Sequence, residues 1–490
     1  MLRAKNLCSS AHRFLRGNTL RATAMRGGLW LATASIGEQI ARFARNILLA
    51  RLLAPSSFGA MAIALSSSSL IASLSDVGTW PAVIQHPEGG EESYLNVAWW
   101  IGFARALLLY IVVFTAAPWI AGFYGSPELS GLLRLTFFGT LLDGVVSPRA
   151  KLAQKNMRLG RLAAINNGGA VAGVITTIIL GITLRNVWAL AIGYCSESAF
   201  CCVLSYALYP GLPSVKWDAR AGRELLRFSR GMVGLSFLNI IFARTDIFIL
   251  AKMYPAATLG VYTMAVTLAQ TPCSFLIRVV SSTLLPTFSR VQNDKERSRR
   301  ILIEITSGAI LLGMPLIAMI ALAAPSILGA VYGVRYSAAS SVLTIASGVA
   351  LLNLLNALIT TQFFSVGRPE LHRRAASISA IVMLIVCYPA CKMFGPAGGQ
   401  FAALAAICCG YGSQIERSKG TSGARARQYL KALPIAAIGA GTVIVLGVVA
   451  RRAGIGMSPP ANIFIALAAC ALVYLTYGVM LSRVKEIVSG

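Results

Sequence analysis

The stretch FARNILLARLLAPSSFGAMAIA, residues 43–64, returns about 200 residues later as FARTDIFILAKMYPAATLGVYTMA, residues 242–265. The alignment pairs Arg45 with Arg244, Ala50 and Arg51 with Ala251 and Lys252, Pro55 with Pro255, and Gly59 with Gly260, with one-residue slips. Each copy is an apolar run broken by Pro and resumed, the pattern of two consecutive membrane-crossing helices and the short turn between them. An internal echo at this spacing identifies a duplicated helical array. Each copy also carries an arginine inside the apolar run, where a charge has no ordinary reason to be.

Working outward, apolar runs of about 20 residues occur near 28–49, 58–82, 98–122, 130–147, 163–183, 187–209, 231–251, 256–277, 302–324, 338–362, 375–393, 397–414, 432–450 and 461–482. These fourteen segments predict an all-α integral membrane protein. Six spans separate the two copies of the echo, an even number, so both cross in the same direction. That is the arrangement of parallel repeats related by an axis along the membrane normal. The expected divisions are a basic arm at 1–27, a six-helix lobe at 28–209, a linker at 210–230, a second six-helix lobe at 231–414, a basic loop at 415–431, and two further helices with a short tail at 432–490.

The composition agrees. Of 490 residues, 56% are hydrophobic and 12% charged, with a net charge of +27 from 44 Lys and Arg against 17 Asp and Glu. Mean hydropathy is +0.69. A nucleic-acid binder can carry such a positive excess but not with this hydropathy, so nucleic acid is not an expected partner; the lipid bilayer is. Soluble enzymes, disulfide scaffolds and disordered basic chains are excluded as well. Most of the ten cysteines lie in apolar stretches and read as small hydrophobes, and none of the three histidines, His12, His86 and His372, has ligand spacing, so neither a metal nor another cofactor is expected. The first 27 residues are basic and lack an apolar core, unlike a cleavable signal peptide.

Orientation follows from the basic residues of the short loops. About 32 of the 44 Lys and Arg fall on the side of the N-terminus and about seven on the other, which predicts that both termini are cytoplasmic. The loop at 83–95, with Glu88, Glu91 and Glu92, runs against the trend.

An Arg or Asp at a helix centre costs roughly 2.5–3.5 kcal/mol on insertion scales, so charges within spans are the candidate site residues. Glu38, Arg42 and Arg45 lie at i, i+4 and i+7 on one face of the first span, where Glu38 can pair with Arg42. Arg244 and Asp246 repeat the theme in the seventh span; Asp76, Asp143 and Glu197 add carboxylates in the second, fourth and sixth. Asp76 and Asp143 precede glycines near the ends of their spans, so a structural cap and a functional role both fit. Arg105 and Arg134 are close enough to predicted ends to reach the headgroups. Pro118, Pro272, Pro315, Pro389 and Pro434 are each expected to remove a helical hydrogen bond.

Several short stretches in order, RNILLARLLAPSSFGAMAIA (45–64), SDVGTWPAVIQ (75–85), DIFILAKMYPAATLGVYTMA (246–265), PTFSRVQND (286–294), YGVRYSAASSVL (332–343) and SVGRPELHRR (365–374), resemble the polysaccharide transporter family, with its Wzx-type flippases and exopolysaccharide exporters. The resemblance implies two six-helix lobes around a V-shaped cavity, two additional C-terminal helices, and alternating access in a bacterial inner membrane. It implies translocation of a polyprenyl-diphosphate-linked oligosaccharide, with a polysaccharide polymerase and a chain-length regulator as companions. It also implies that Arg45 and, further from the motif, Arg42 face the cavity; Asn46 stands where the lipid II branch often has an acidic residue.

A diphosphate headgroup needs a wet, cationic route through hydrocarbon, and arginine supplies a permanent charge with paired donors. Arg42, Arg45 and Arg244 are therefore the expected phosphate-attracting residues, and Glu38, Asp76, Asp143, Glu197 and Asp246 the candidates for charge tuning or ion coupling. The rivals are a multidrug extruder of the same fold, a membrane-embedded polymerase or glycosyltransferase, and a non-transporting scaffold. The outer loops are short and nearly uncharged, which disfavours the enzymes.

Overall fold

The computed structural model describes residues 37–75, 79–80, 83, 86, 88–155, 159–215, 217–229, 235–292, 294–453 and 458–489. Among them the regular structure is helical throughout. The long helices are α1 (37–52), α2 (Pro55–Leu74), α3 (Glu92–Tyr124), α4 (Glu128–Gly144), α5 (Leu159–Leu184), α6 (Trp188–Leu208), α7 (Leu235–Met253), α8 (Ala256–Arg290), α9 (Lys295–Val331), α10 (Ser340–Ser365), α11 (Pro369–Phe394), α12 (Ala397–Thr421), α13 (Leu433–Arg452) and α14 (Pro459–Ser489).

Ten helices among the described residues are long and apolar enough to cross a membrane, which makes this a multi-pass helical membrane protein. The expected count of fourteen such crossings is not reached, for identifiable reasons. Helix α4 has only 17 residues. Gly398, Gly399, Gln400, Gly410, Gly412 and Gln414 dilute α12. The described part of α1 carries Glu38, Arg42, Arg45 and Arg51, and α7 carries Arg244, Asp246 and Lys252. The two helices that hold the candidate arginines are thus among those that hydropathy undervalues.

Helix ends follow local chemistry. The Asp294 carboxylate caps α9 by accepting from the Arg297 N–H at 2.9 Å. Pro255 precedes α8 and Pro369 opens α11, where a missing N–H costs no helical bond. Gly125, at φ 64°, ends α3 in the left-handed conformation that glycine tolerates. Pro118, Pro315 and Pro389 lie inside continuous helices. Pro434 sits in the first turn of α13 and so breaks nothing, contrary to the expectation from sequence.

The chain divides into two compact units, Met1–Leu53 with Ser67–Phe237, and Ala54–Ser66 with Leu238–Gly490. In unit 1, α3 packs on α4, α4 on α6 and α5 on α6. The α5–α6 seam is made by small residues: a Cβ on Gly173 would lie 3.1 Å from the Gly193 carbonyl oxygen and 2.7 Å from the Glu197 Cβ. This close approach sets the position of Glu197.

In unit 2, α8 packs on α10, α10 on α12 and α11 on α12, over a core that includes Phe288, Leu302, Leu355, Ile359 and Phe363. Helices α13 and α14 both pack along α9, with Val443, Val473 and Ala318 buried between them. The start of α2 also belongs to this unit. There Gly59 and Gly260, partners in the sequence echo, meet backbone to backbone: a Cβ on Gly59 would lie 2.8 Å from the Ala256 carbonyl carbon and one on Gly260 2.7 Å from that of Pro55. Large apolar side chains face outward, Trp119 at 80% exposure and Phe464 at 73% among them, as lipid contact requires.

Candidate functional site

Unit 1 brings three predicted residues together. The Arg42 Nε donates to Glu38 Oε1 at 3.0 Å one helical turn away, and its Nη2 donates to Glu197 Oε1 on α6. The i,i+4 pairing expected from sequence is present; the second carboxylate comes from 155 residues further on. One guanidinium is therefore compensated twice. Arg45, a turn beyond, shares no carboxylate: its Nη2 approaches Asn46 Oδ1 at 3.5 Å, and its Nε is buried without a partner. Asp143 is exposed near the end of α4, close to Ser198, Lys151 and Glu197. Asp76 lies outside the described residues.

The other intramembrane arginines of this unit turn to backbone. Arg105 Nε donates to Ser75 Oγ at 2.9 Å and its Nη2 to the Ala72 carbonyl at 2.5 Å, just past the end of α2. Arg134 donates to the Phe114 carbonyl at 3.3 Å and stacks over the Phe114 ring at 4.3 Å. Both find partners within the protein, where sequence suggested the headgroups. At the end of α2 Arg105 shares the Ala72 carbonyl with the Ser75 hydroxyl, at a helix terminus whose last carbonyls need donors from outside the helix.

In unit 2, Asp246 is 6% exposed, and its oxygens are taken up by neutral donors. The Ile247 N–H donates to Oδ1 at 2.9 Å, the Tyr262 hydroxyl to Oδ2 at 2.5 Å and the Gln400 Nε2 to Oδ2 at 3.3 Å; Gln400 Nε2 also reaches the Tyr262 oxygen at 2.6 Å. Gly399 makes room for this cluster, since a Cβ there would lie 2.8 Å from the Tyr262 oxygen and 3.2 Å from the Asp246 Cβ. Arg244, two residues before Asp246, keeps a buried Nε with no partner.

Arg244 and Asp246 line a partly open cavity of about 290 Å³ between five helices of unit 2. Each helix contributes a stripe at helical spacing: Asn239 to Asp246 from α7, Gln270 from α8, Val349, Asn353 and Asn356 from α10, His372 to Ser379 from α11, and Gln400 to Ile407 from α12. Sequence reading passed over the amides and gave His372 no role. The available signal was Asn353 and Asn356 three residues apart inside the apolar run 338–362, on one face of a helix. His372 Nδ1 is engaged by Thr360 Oγ1 at 3.1 Å and Gln414 Nε2 at 3.2 Å. Among the described residues no three His, Cys, Asp or Glu side chains converge as metal ligands would.

Taken singly, the two units each present an arginine with unused donor capacity beside carboxylates that are already satisfied. Such a guanidinium can bind an anionic oxygen by charge-assisted hydrogen bonds.

The solved structure of the lipid II flippase MurJ in an inward closed conformation superimposes with a TM-score of 0.74 over 93% of this chain and 99% of that one, at 13% identity. An inward-facing multidrug resistance transporter of the MATE family gives a TM-score of 0.60 over 79% of this chain and 96% of that one, at 15% identity. Both likenesses concern the fold. The succinoglycan biosynthesis transport protein ExoT of Rhizobium meliloti (strain 1021) is 26% identical over 310 residues, a match that spans 62% of each chain. The profile of one family covers residues 48–341, from within α1 through the first residues of α10, and so includes Gly59 and Gly260, the whole second copy of the echo and the first copy from Leu48 onward, with Arg45 just outside it. The chain belongs to the family described as "Polysaccharide biosynthesis protein".

Proposed function

We propose that this protein is a flippase that carries a polyprenyl-diphosphate-linked oligosaccharide repeat unit from the cytoplasmic to the periplasmic leaflet of a bacterial inner membrane, for export of an exopolysaccharide, capsule or O-antigen. The observation that carries this reading is the pair Arg45 and Arg244. They are matched by the repeat, set inside their helices, and each retains a buried Nε with no partner among the described residues. Family membership and the likeness to a succinoglycan transport protein support the class of cargo. The diphosphate would be drawn to these guanidinium groups while the polyprenyl tail stays in lipid, with both termini in the cytoplasm. A polymerase and a chain-length regulator would act on the delivered repeat units.

A multidrug extruder shares the fold. It would need carboxylates free to receive a cationic drug, yet Glu38 and Glu197 are committed to Arg42, and Asp246 to Tyr262 and Gln400. Asp143 keeps an exposed carboxylate, but Arg45 and Arg244 each keep a buried Nε with no partner among the described residues, which favours an anionic cargo.

Deletion of the gene is expected to accumulate lipid-linked repeat units and abolish mature polymer. Arg45→Ala and Arg244→Ala each remove a charge-assisted contact of roughly 1.5–3 kcal/mol, about 10- to 100-fold in flipping rate, at unchanged protein level. Normal export by both variants would refute the assignment of these arginines. Normal polymer in the deletion strain, with altered drug tolerance, would refute the flippase reading itself.

A further inference from the structure

We propose that the cavity of unit 2 is a carbohydrate-reading site, in which Asn239, Gln270, Asn353, Asn356 and Gln400 hydrogen-bond the hydroxyl groups of one or two sugar residues of the cargo. The inference rests on the flippase reading above and assigns the recognition of the sugar to a particular set of amides.

The chemistry of the lining selects the ligand class. The side-chain amides of Asn239, Gln270, Asn353 and Asn356 make no hydrogen bond to any other described residue. Gln400 is 2% exposed, and while its Nε2 is held by Asp246 and Tyr262, its Oε1 is buried without a partner. An amide offers a donor pair and an acceptor side by side, and a sugar hydroxyl is itself both donor and acceptor, so an array of amides matches a polyol group for group. A simple anion would call for donors alone. A cation would call for free carboxylate oxygens, and those of Asp246 are already satisfied.

Size narrows the ligand further. A volume of about 290 Å³ would hold roughly ten waters at about 30 Å³ each, and lies at the lower edge of the ~300–1,000 Å³ typical of small-molecule sites. It suits one or two sugar rings and is too small for a whole repeat unit. Arg244, in the same wall with its Nε unpaired, would meet the phosphate side of the same ligand. Unpaired amides inside membrane helices are disfavoured unless a polar ligand or water completes them. Their convergence from α7, α8, α10 and α12 on one cavity is what a sugar would complete.

The test uses the purified full-length protein in nanodiscs and two probes: lipid-linked oligosaccharide extracted from the cells that carry the gene, and undecaprenyl diphosphate without sugar. Asn353→Leu and Asn356→Leu replace each amide by an apolar group of similar size, a change that membrane helices accept. The wild type is expected to prefer the glycosylated probe, and each substitution to lower that preference about tenfold, equivalent to ~1.4 kcal/mol. If either variant does not fold, Asn239→Leu and Gln270→Leu make the same measurement. A wild-type preference unmoved by these substitutions would overturn the sugar site and leave the flippase reading standing, as would equal binding of the two probes by the wild type. Failure of the wild type to bind either probe would overturn both.

Discussion

Gly59 and Gly260 permit an unusually direct calculation, because each meets the backbone of the helix that carries the other. A methyl group added at Gly260 would sit 2.7 Å from the Pro55 carbonyl carbon, and one at Gly59 2.8 Å from that of Ala256. Carbon atoms rest at about 3.5–4.0 Å, and the carbonyl oxygens of Pro55 and Ala256 lie nearer still to the added methyls, so α2 and α8 must part by more than ~1 Å to admit either one. Overpacking of this kind costs ~1–3 kcal/mol, and the upper half of that range is expected here because the obstruction is backbone and cannot change rotamer. Helix propensity works the other way, worth up to ~1 kcal/mol for Ala over Gly. Gly308→Ala isolates that term, since nothing lies within 4 Å of its added Cβ. The reciprocity of the contact yields a sharper expectation. Both methyls demand the same separation, so once one is present the second is accommodated at little further cost. The double variant is expected to lose about what the worse single variant loses, giving a coupling energy of about 2 kcal/mol. Unfolding of the purified protein followed by tryptophan fluorescence measures all four species. A double variant that loses the full sum would refute the reciprocal contact, and single variants as stable as Gly308→Ala would refute the close approach altogether.

The buried Asp246 cluster and the short helix beyond unit 1's last long helix provide two further tests. Tyr262→Phe removes a hydroxyl that donates to a buried carboxylate and accepts from Gln400, and is expected to cost about 2–3 kcal/mol in the same unfolding measurement. Tyr332→Phe and Tyr336→Phe, whose buried hydroxyls have no partner among the described residues, are expected to be neutral by comparison. On helix Ala219–Ser229, the Tyr94 hydroxyl and Arg220 hold the Glu224 carboxyl below its ordinary 4.5, with His86 adding to the pull. A depressed carboxylate stabilises above its unfolded value and loses that contribution as pH falls through its folded one. Protease cleavage around residues 211–218 is therefore expected to rise only below about pH 4.5, and Glu224→Gln to abolish the dependence.

What could be read in advance depended on how far apart in the chain the partners were. The pairing of Glu38 with Arg42 is a matter of helical pitch and was visible as four residues' separation. Glu197 joins them because Gly169 and Gly173 let α6 come close to α5, and no local pattern announces which face of α6 then turns to α1. Sequence placed Arg105 near a span end, whereas it lies well inside α3, and its partners, the Ala72 carbonyl and the Ser75 hydroxyl, are available because α2 stops at Leu74. The amide-lined cavity escaped notice for a different reason. A single Asn or Gln barely lowers the hydropathy of a long apolar run, and its importance appears only when five helices bring their polar stripes to one place.

The two units bury charge by different means that share one physical consequence. In unit 1 the carboxylates of Glu38 and Glu197 balance the guanidinium groups of Arg42 and Arg45, and in unit 2 Asp246 balances Arg244, so neither cluster carries a net charge into the membrane. The balance is achieved asymmetrically. Arg42 takes both carboxylates of unit 1, and Asp246 is held by a phenol, an amide and a backbone N–H. Arg45 and Arg244 therefore each complete a cluster in which the named charges cancel, while their Nε donors stay unspent. Neutral clusters lower the desolvation cost of having arginine in the membrane at all. Unspent donors leave directional bonds for an incoming phosphate, which such a site would hold by geometry more than by net charge.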